Sequence, residues 1–279
     1  MRDLAPARAR ARAPGGAAMS ALLDLDGVTI RYGENVVLSG VTLSVDGGEI
    51  VGLLGPNGSG KSTALNAVTG FAPLAAGAIR FDGQRIDALS PHRIARLGIR
   101  RTFQLPSMPA RMSVLELAMA ASSARHGIGA ALWRGRATRA LDADTRARAA
   151  ELLDELKLSG VAHLAAASIS GGQKKLLGIA CAMMTEPKLL LLDEPTAGVH
   201  PNLRGELIDA LQRIRKQGVT LVVIEHDMHF IRELCDRCVV LDRGVAIANC
   251  RPTELERDRR VLDAYLGRAH AAGRPLEAS

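Results

Sequence analysis

Aromatic side chains are scarce in this sequence: one Trp, two Tyr and four Phe among 279 residues, 3% of the chain. Nucleic-acid binding is therefore not indicated, because basic residues interleaved with stacking rings are missing even though the net charge is +7. Long apolar runs are missing too. The most hydrophobic stretches, Leu189–Leu192 and Val219–Ile224, fall far short of the roughly 18 residues that a membrane-spanning helix needs. Any action at a membrane is then exerted from its surface. Cysteines number four, at 181, 235, 238 and 250. Cys235 and Cys238 form a lone CxxC with no second pair and no histidine pair at zinc spacing, which reads as small packing residues at a helix end. Nothing in this points to an oxidising compartment.

What is present is enough to build a large core: 47% of residues are hydrophobic and 23% charged. That balance excludes a chain disordered throughout and suits one α/β domain with a subdomain. The basic surplus is uneven. Residues 1–18 hold Arg2, Arg8, Arg10 and Arg12 against Asp3, and so carry three of the seven net charges. This Ala/Arg/Pro/Gly-rich stretch lacks the apolar centre of a secretory signal. Residues 1–19 are expected to be a disordered tail, with Met19 an alternative start, and residues 268–279 a flexible one.

Between them, strand-like and helix-like runs alternate. Leu22–Arg31 and Val36–Val45 read as strands of an antiparallel edge, interrupted at Gly33 and Gly40. Glu49–Leu54, Leu189–Leu192 and Leu221–Glu225 read as short interior strands, continuous in apolar residues as parallel strands are. The stretch Met112–Leu164 is Ala-rich and mostly helical, with a break near His126–Gly129 and an apolar stripe of Ala149, Leu152, Leu153 and Leu156. The expectation is an α/β layered core over residues 20–267 with a helical subdomain inserted at about 105–168. A hairpin over Cys238–Asn249 turns at Arg243-Gly244, and Pro252 opens a terminal helix running to about Leu266.

Two clusters carry chemistry. Gly55-Pro56-Asn57-Gly58-Ser59-Gly60-Lys61-Ser62 fits the phosphate-loop pattern GxxxxGK[ST], and a predicted strand before it and helix Lys61–Val68 after it separate it from an ordinary Gly-rich turn. Its glycines let backbone N–H groups curl around phosphates at a helix N-terminus. Lys61 would reach the β- and γ-phosphates, Ser62 would ligate Mg²⁺, and Thr63 adds a hydroxyl. The second cluster follows the four leucines: Asp193 would hold the metal, largely through water, and Glu194 would orient or deprotonate the attacking water.

Between the clusters lies Ile169-Ser170-Gly171-Gly172-Gln173, and with it the chain resembles the ATP-binding-cassette (ABC) ATPases from Leu22 to Gly267. Ile169 stands where that family's signature usually has Leu, and Cys181 where it commonly has Arg. The resemblance implies a P-loop NTPase core of ABC type, with an antiparallel β edge subdomain and an inserted α-helical subdomain. It implies that Tyr32 stacks on adenine, and that Gln104, in Arg101-Thr102-Phe103-Gln104, senses Mg²⁺ and joins the core to the helical subdomain. His226 is then the switch histidine at the γ-phosphate, and Ala197-Gly198-Val199-His200 a dimer-contact loop. Ser170, Gly171, Gly172 and Gln173 would cap the γ-phosphate held by the other subunit of a dimer. ATP and Mg²⁺ are the implied ligands, and a second ABC ATPase, identical or not, the implied partner.

Finer runs, Gly98–Gln104, Thr196–Pro201, Glu225–Phe230 and Val261–Gly267, resemble the ATPases of branched-chain (hydrophobic) amino-acid importers, and the basic segment Trp133–Arg139 the larger of their two types. That resemblance implies permease subunits docking near Gln104–Val114, an indirect link to a solute-binding protein, and a peripheral place on the cytoplasmic face of a bacterial inner membrane. Related ATPases for urea or amide uptake, or for lipopolysaccharide export, share much of these runs. A non-transport ABC ATPase is a further alternative. However, the interval before residue 169 lacks the sustained heptads of repair types, and one cassette is present where ribosomal types carry two.

Overall fold

The computed structural model describes residues 21–102, 108–122 and 136–271. In chain order its elements are β1 (Leu23–Tyr32), β2 (Asn35–Val45), β3 (Ile50–Leu54), α1 (Lys61–Val68), β4 (Ala76–Phe81), β5 (Gln84–Arg85), α2 (Pro91–Arg96), β6 (Ile99–Thr102), α3 (Val114–Ser122), α4 (Arg136–Glu155), α5 (Gly171–Met183), β7 (Leu189–Asp193), α6 (Arg204–Lys216), β8 (Thr220–Ile224), α7 (Met228–Leu234), β9 (Arg237–Asp242), β10 (Val245–Cys250) and α8 (Arg259–Ala271). They fall into two compact units, one of residues up to Pro91 together with those from Cys235 onward, the other from His92 to Leu234.

The first unit holds an antiparallel sheet in the order β2-β1-β4-β5, with Leu23 opposite Val45 on one side and Phe81 on the other. Leu23, Leu25, Val28 and Ile30 of β1 are buried, and the register shifts between Leu25 and Val28 and between Val28 and Ile30 keep these apolar residues and their β2 partners Val41 and Leu38 inward. In the same unit β3 runs parallel to β9, Leu53 opposite Val239, and β9 turns at Arg243-Gly244 into antiparallel β10. Every residue of β3 is buried. A strand covered on both faces must read as a continuous apolar run, which is why Ile50–Leu54 shows no alternation.

The second unit has β7 between β6 and β8, all parallel, with Leu191 opposite Arg101 and Val222. Leu189 to Leu192 are 0% exposed. Burying each leucine is worth roughly 1.5–3 kcal/mol over leaving it in water, so this run is stable as an interior strand and not as a loop. Helices α3, α4 and α5 pack on one another through Val114 and Ala118, through the predicted stripe Ala149, Leu152, Leu153 and Leu156, and through Leu177 and Ala180, all buried.

Two expectations are corrected. The terminal helix does not run unbroken from Pro252 to about Leu266. Pro252–Arg257 is a 3₁₀ segment, and Asp258, extended at φ −83° and ψ 111°, separates it from α8, which reaches Ala271. The break has a cause: the Asp258 carboxylate accepts the Arg260 N–H at 2.9 Å and pairs with its guanidinium at 2.6 Å, capping a new helix start. The CxxC is not a helix-end pair either. Cys235 follows α7, but Cys238 lies inside β9 at 0% exposure, and neither is in a disulfide. The predicted break near His126–Gly129 lies outside the described residues, as do residues 1–19.

Candidate active site

In the first unit, β3 delivers the chain into the glycine-rich loop and α1 takes it out. Gly55 has φ 141°, and a Cβ there would lie 2.0 Å from the Leu241 carbonyl oxygen and 2.7 Å from Ser59 Oγ, so no other residue fits. Gly60, at φ 103°, forms the N-cap of α1. The Lys61 ammonium donates to the carbonyls of Gly55 at 2.7 Å and Pro56 at 3.0 Å, which holds it against the loop it serves. Asn57, Gly58 and Ser62 are exposed and Thr63 half-buried. The first turn of α1 carries no acid, so nothing local cancels the positive end of its dipole. An ammonium, exposed hydroxyls, a helix start and a cradle from which any Cβ at Gly55 is excluded make a donor set for a polyphosphate. Residues distant in sequence brace it: the Gly244 N–H donates to the Ser59 carbonyl at 3.0 Å, and the Gly55 N–H to the Tyr265 hydroxyl at 2.9 Å. Tyr32 ends β1 with half its surface exposed.

In the second unit, β7 ends on Asp193 and the next residue turns sharply: Glu194 has φ 49°, an uncommon conformation for a residue with a side chain. The Glu194 N–H donates to the Ile224 carbonyl at 2.9 Å, which ties the turn to β8. Its carboxylate Oε1 then lies 3.3 Å from His226 Nε2. The two expected catalytic groups, 32 positions apart, are thus within contact of each other. Asp193 pairs with the Arg101 guanidinium at 2.7 Å, both side chains less than a tenth exposed. The pair fixes the orientation of the carboxylate.

Three groups here escaped the sequence reading. Arg101 is one. Lys175, from the first turns of α5, donates its ammonium to the Glu194 backbone carbonyl. Burial pushes its pKa below the usual lysine range against the opposing pull of Glu225, Glu194 and Asp193. Glu225 is the third. At 3% exposure, its Oε1 accepts the Thr196 N–H at 2.7 Å and the Thr196 hydroxyl at 2.6 Å, and its Oε2 accepts the His226 N–H at 3.0 Å. One buried carboxylate thereby links the loop after Glu194 to the histidine. The signal was available: an acid directly after a buried strand, as at Glu194.

Helix α5 opens on the signature. Ser170 Oγ accepts the Gln173 N–H at 3.2 Å, and the Ser170 N–H donates to Gln173 Oε1 at 3.0 Å, a reciprocal capping box. Two of the motif's side chains thus hold the start of their own helix, leaving Gly171 exposed at its tip and Gly172 buried. Ile169 is buried, at 5% exposure, so the exchange from leucine changes shape inside a packed position. The Cys181 thiol lies 3.9 Å from the Leu117 carbonyl, and burial pushes its pKa up to about 11. Phe103 and Gln104 lie outside the described residues.

A glycine-rich phosphate loop, strand-end acids beside a histidine and a capped Ser-Gly-Gly-Gln helix together define an ATP-binding cassette. Residues 38–197 match the ABC transporter family, and the chain belongs to it: it is an ATP-binding cassette that couples ATP hydrolysis to transport. Among its relatives, the high-affinity branched-chain amino acid transport ATP-binding protein BraF of Pseudomonas aeruginosa is 36% identical over 252 residues, spanning 89% of this chain and 98% of BraF. LivG of Escherichia coli K12, also a high-affinity branched-chain amino acid transport ATP-binding protein, is 34% identical over 251 residues, with 89% and 98% covered. The fold matches the crystal structure of the ADP conformation of MJ1267, an ATP-binding cassette of an ABC transporter, at TM-score 0.77 and 31% identity over 89% of this chain and 99% of that one.

Proposed function

We propose that this chain is the ATPase subunit of an importer for branched-chain and other hydrophobic amino acids, driven by ATP-dependent dimerisation. The observation that carries the reading is the likeness to BraF over 98% of that protein's length. In this reading Tyr32 stacks on adenine, and Gly55 to Thr63 wrap the phosphates with Lys61 on the β- and γ-groups. Ser62, Gln104 and Asp193 are the residues that would hold Mg²⁺, which would supply neutralisation of the phosphate charge. Glu194 orients or deprotonates the attacking water, and His226, against its carboxylate, contacts the γ-phosphate. Ser170, Gly171, Gly172 and Gln173 address the nucleotide of a second ATPase subunit, identical or not.

The permease subunits are the other partners, and the solute-binding protein acts through them. A cleft of about 470 Å³, lined in part by Met108, Leu117, Ala121, Gly178, Ile179 and Cys181, supports a permease loop docking beside α3 and α5. The chain works on the cytoplasmic face of a bacterial inner membrane, held there by those partners. No helix among the described residues is long and apolar enough to cross a membrane. The test is leucine, isoleucine and valine uptake in cells lacking the gene, complemented with wild type or Glu194→Gln. Uptake restored by wild type and not by the variant is expected. Uptake indifferent to the gene would refute the solute and leave urea, amide or lipopolysaccharide as the cargo to test.

A further inference from the structure

The Gly55 peptide is held from two directions. Its N–H donates to the Tyr265 hydroxyl at 2.9 Å, and its carbonyl accepts from the Lys61 ammonium at 2.7 Å. These groups sit on successive peptide planes, so the two bonds together fix the φ and ψ between them. Glycine needs such fixing, since without a Cβ its torsions are the loosest in the chain. The two restraints differ in permanence, however. On the reading of residues 55–63 as the phosphate loop, Lys61 turns to phosphate when ATP binds and its bond to the Gly55 carbonyl is given up. The tyrosine bond has no such competing role.

We propose that Tyr265 is a positioning residue for the phosphate loop, and that through it the C-terminal helix sets the affinity for ATP. The inference rests on the phosphate-loop reading and goes beyond it, because it brings into the nucleotide site a side chain 210 positions from Gly55. The helix is built to hold the hydroxyl still. Its start is capped by Asp258, and Val261, one turn before Tyr265 and on the same face, is 4% exposed. Leu255, in the 3₁₀ segment before it, is 1% exposed. Burial also pushes the Tyr265 pKa above the usual phenol range, so at neutral pH the oxygen is an uncharged acceptor suited to a backbone N–H.

The test compares three variants of the full chain by calorimetric titration with a non-hydrolysable ATP analogue and Mg²⁺, by steady-state ATPase and by thermal unfolding. Tyr265→Phe keeps the ring and removes the acceptor. Its Kd and its KM for ATP are expected to rise about tenfold, within the range for stranding one buried donor, with kcat at saturation within twofold of wild type. Val261→Ala loosens the same helix without touching the hydroxyl. It is expected to lower the unfolding midpoint and leave Kd within twofold. Wild-type affinity in Tyr265→Phe overturns the proposal, and so does equal weakening by Val261→Ala, which would make the effect one of packing. Lys61→Ala separates the layers. If it binds as wild type does, the phosphate-loop reading itself falls. If it loses binding while Tyr265→Phe does not, the tyrosine inference alone falls.

Discussion

Glu225→Gln removes an acceptor from a place where three donors converge. The native carboxylate takes the Thr196 N–H and hydroxyl on one oxygen and the His226 N–H on the other, at 3% exposure. A glutamine offers one oxygen and one NH₂. With its oxygen toward Thr196, the NH₂ meets the His226 N–H donor to donor. Turned round, it meets the Thr196 N–H, and only the hydroxyl can rotate to adapt. Either way one backbone N–H is stranded, the buried one of Thr196 or the part-buried one of His226, a loss of about 1–3 kcal/mol with His226 at the low end, and the surviving bonds fall from charge-assisted to neutral, about 1 kcal/mol more. The expected destabilisation is about 2–4 kcal/mol, a large part of a typical margin of about 5–15 kcal/mol. Hydrogen exchange at the Thr196 and His226 amides reads it locally, and urea unfolding of the whole chain reads it globally. Because His226 sits 3.3 Å from Glu194, kcat is expected to fall about tenfold with KM for ATP within twofold. A stability change under about 0.5 kcal/mol with both amides exchanging at wild-type rates would refute the reasoning.

Gly55→Ala puts a methyl 2.0 Å from a backbone oxygen that cannot swing aside, so ATP binding measured by calorimetry should be lost outright. A soluble variant with wild-type affinity would contradict that. Glu194→Gln should hydrolyse ATP slowly and elute as a dimer only when ATP is present; a monomer at every ATP concentration speaks against the sandwich or for a different partner. The thiols give a pH prediction. Burial raises Cys181 to about 11 and Cys238 to about 12, above the ordinary value of 9.0 that both regain on unfolding. The unfolded chain therefore loses these protons first, so the stability they contribute is intact below about pH 9 and declines as pH climbs toward 11–12. Urea midpoints at pH 8 and 10.5 check the sign, and Cys238→Ala should flatten the dependence.

Interior strands were legible because burial on both faces writes itself as an unbroken apolar run, as at Leu189–Leu192 and Ile50–Leu54. By the same logic β6 was hidden. Ile-Arg-Arg-Thr has one fully buried residue and two arginines, and it is a strand because β7 offers it a hydrogen-bonding edge. The pair β4 and β5 was hidden for a related reason: their residues are held by β1 and by each other across a tight turn, not by a local pattern. At the site, spacing revealed the residues that act by type, such as Lys61, Asp193 and Glu194. Spacing was silent on residues that act through others. Arg101 and Glu225 take their meaning from partners 92 and 29 positions away. The terminal helix was misjudged because proline marks a start well, whereas the aspartate that restarts the helix does so through its own side chain.

The bracing of the phosphate loop bears on the order in which a growing chain becomes competent. The loop and α1 leave the ribosome early, yet the Leu241 carbonyl beside Gly55, the Gly244 N–H on Ser59 and the Tyr265 hydroxyl on Gly55 all belong to the last part made. A nascent chain that ends before β9 has the whole nucleotide motif in its sequence and none of these three restraints. Vectorial synthesis then builds the second unit, residues 92–234, before the first can close around its own glycines. ATP cannot act as an early folding ligand for such a chain, and a cassette truncated upstream of residue 237 should emerge as a sequence that spells a nucleotide site without forming one.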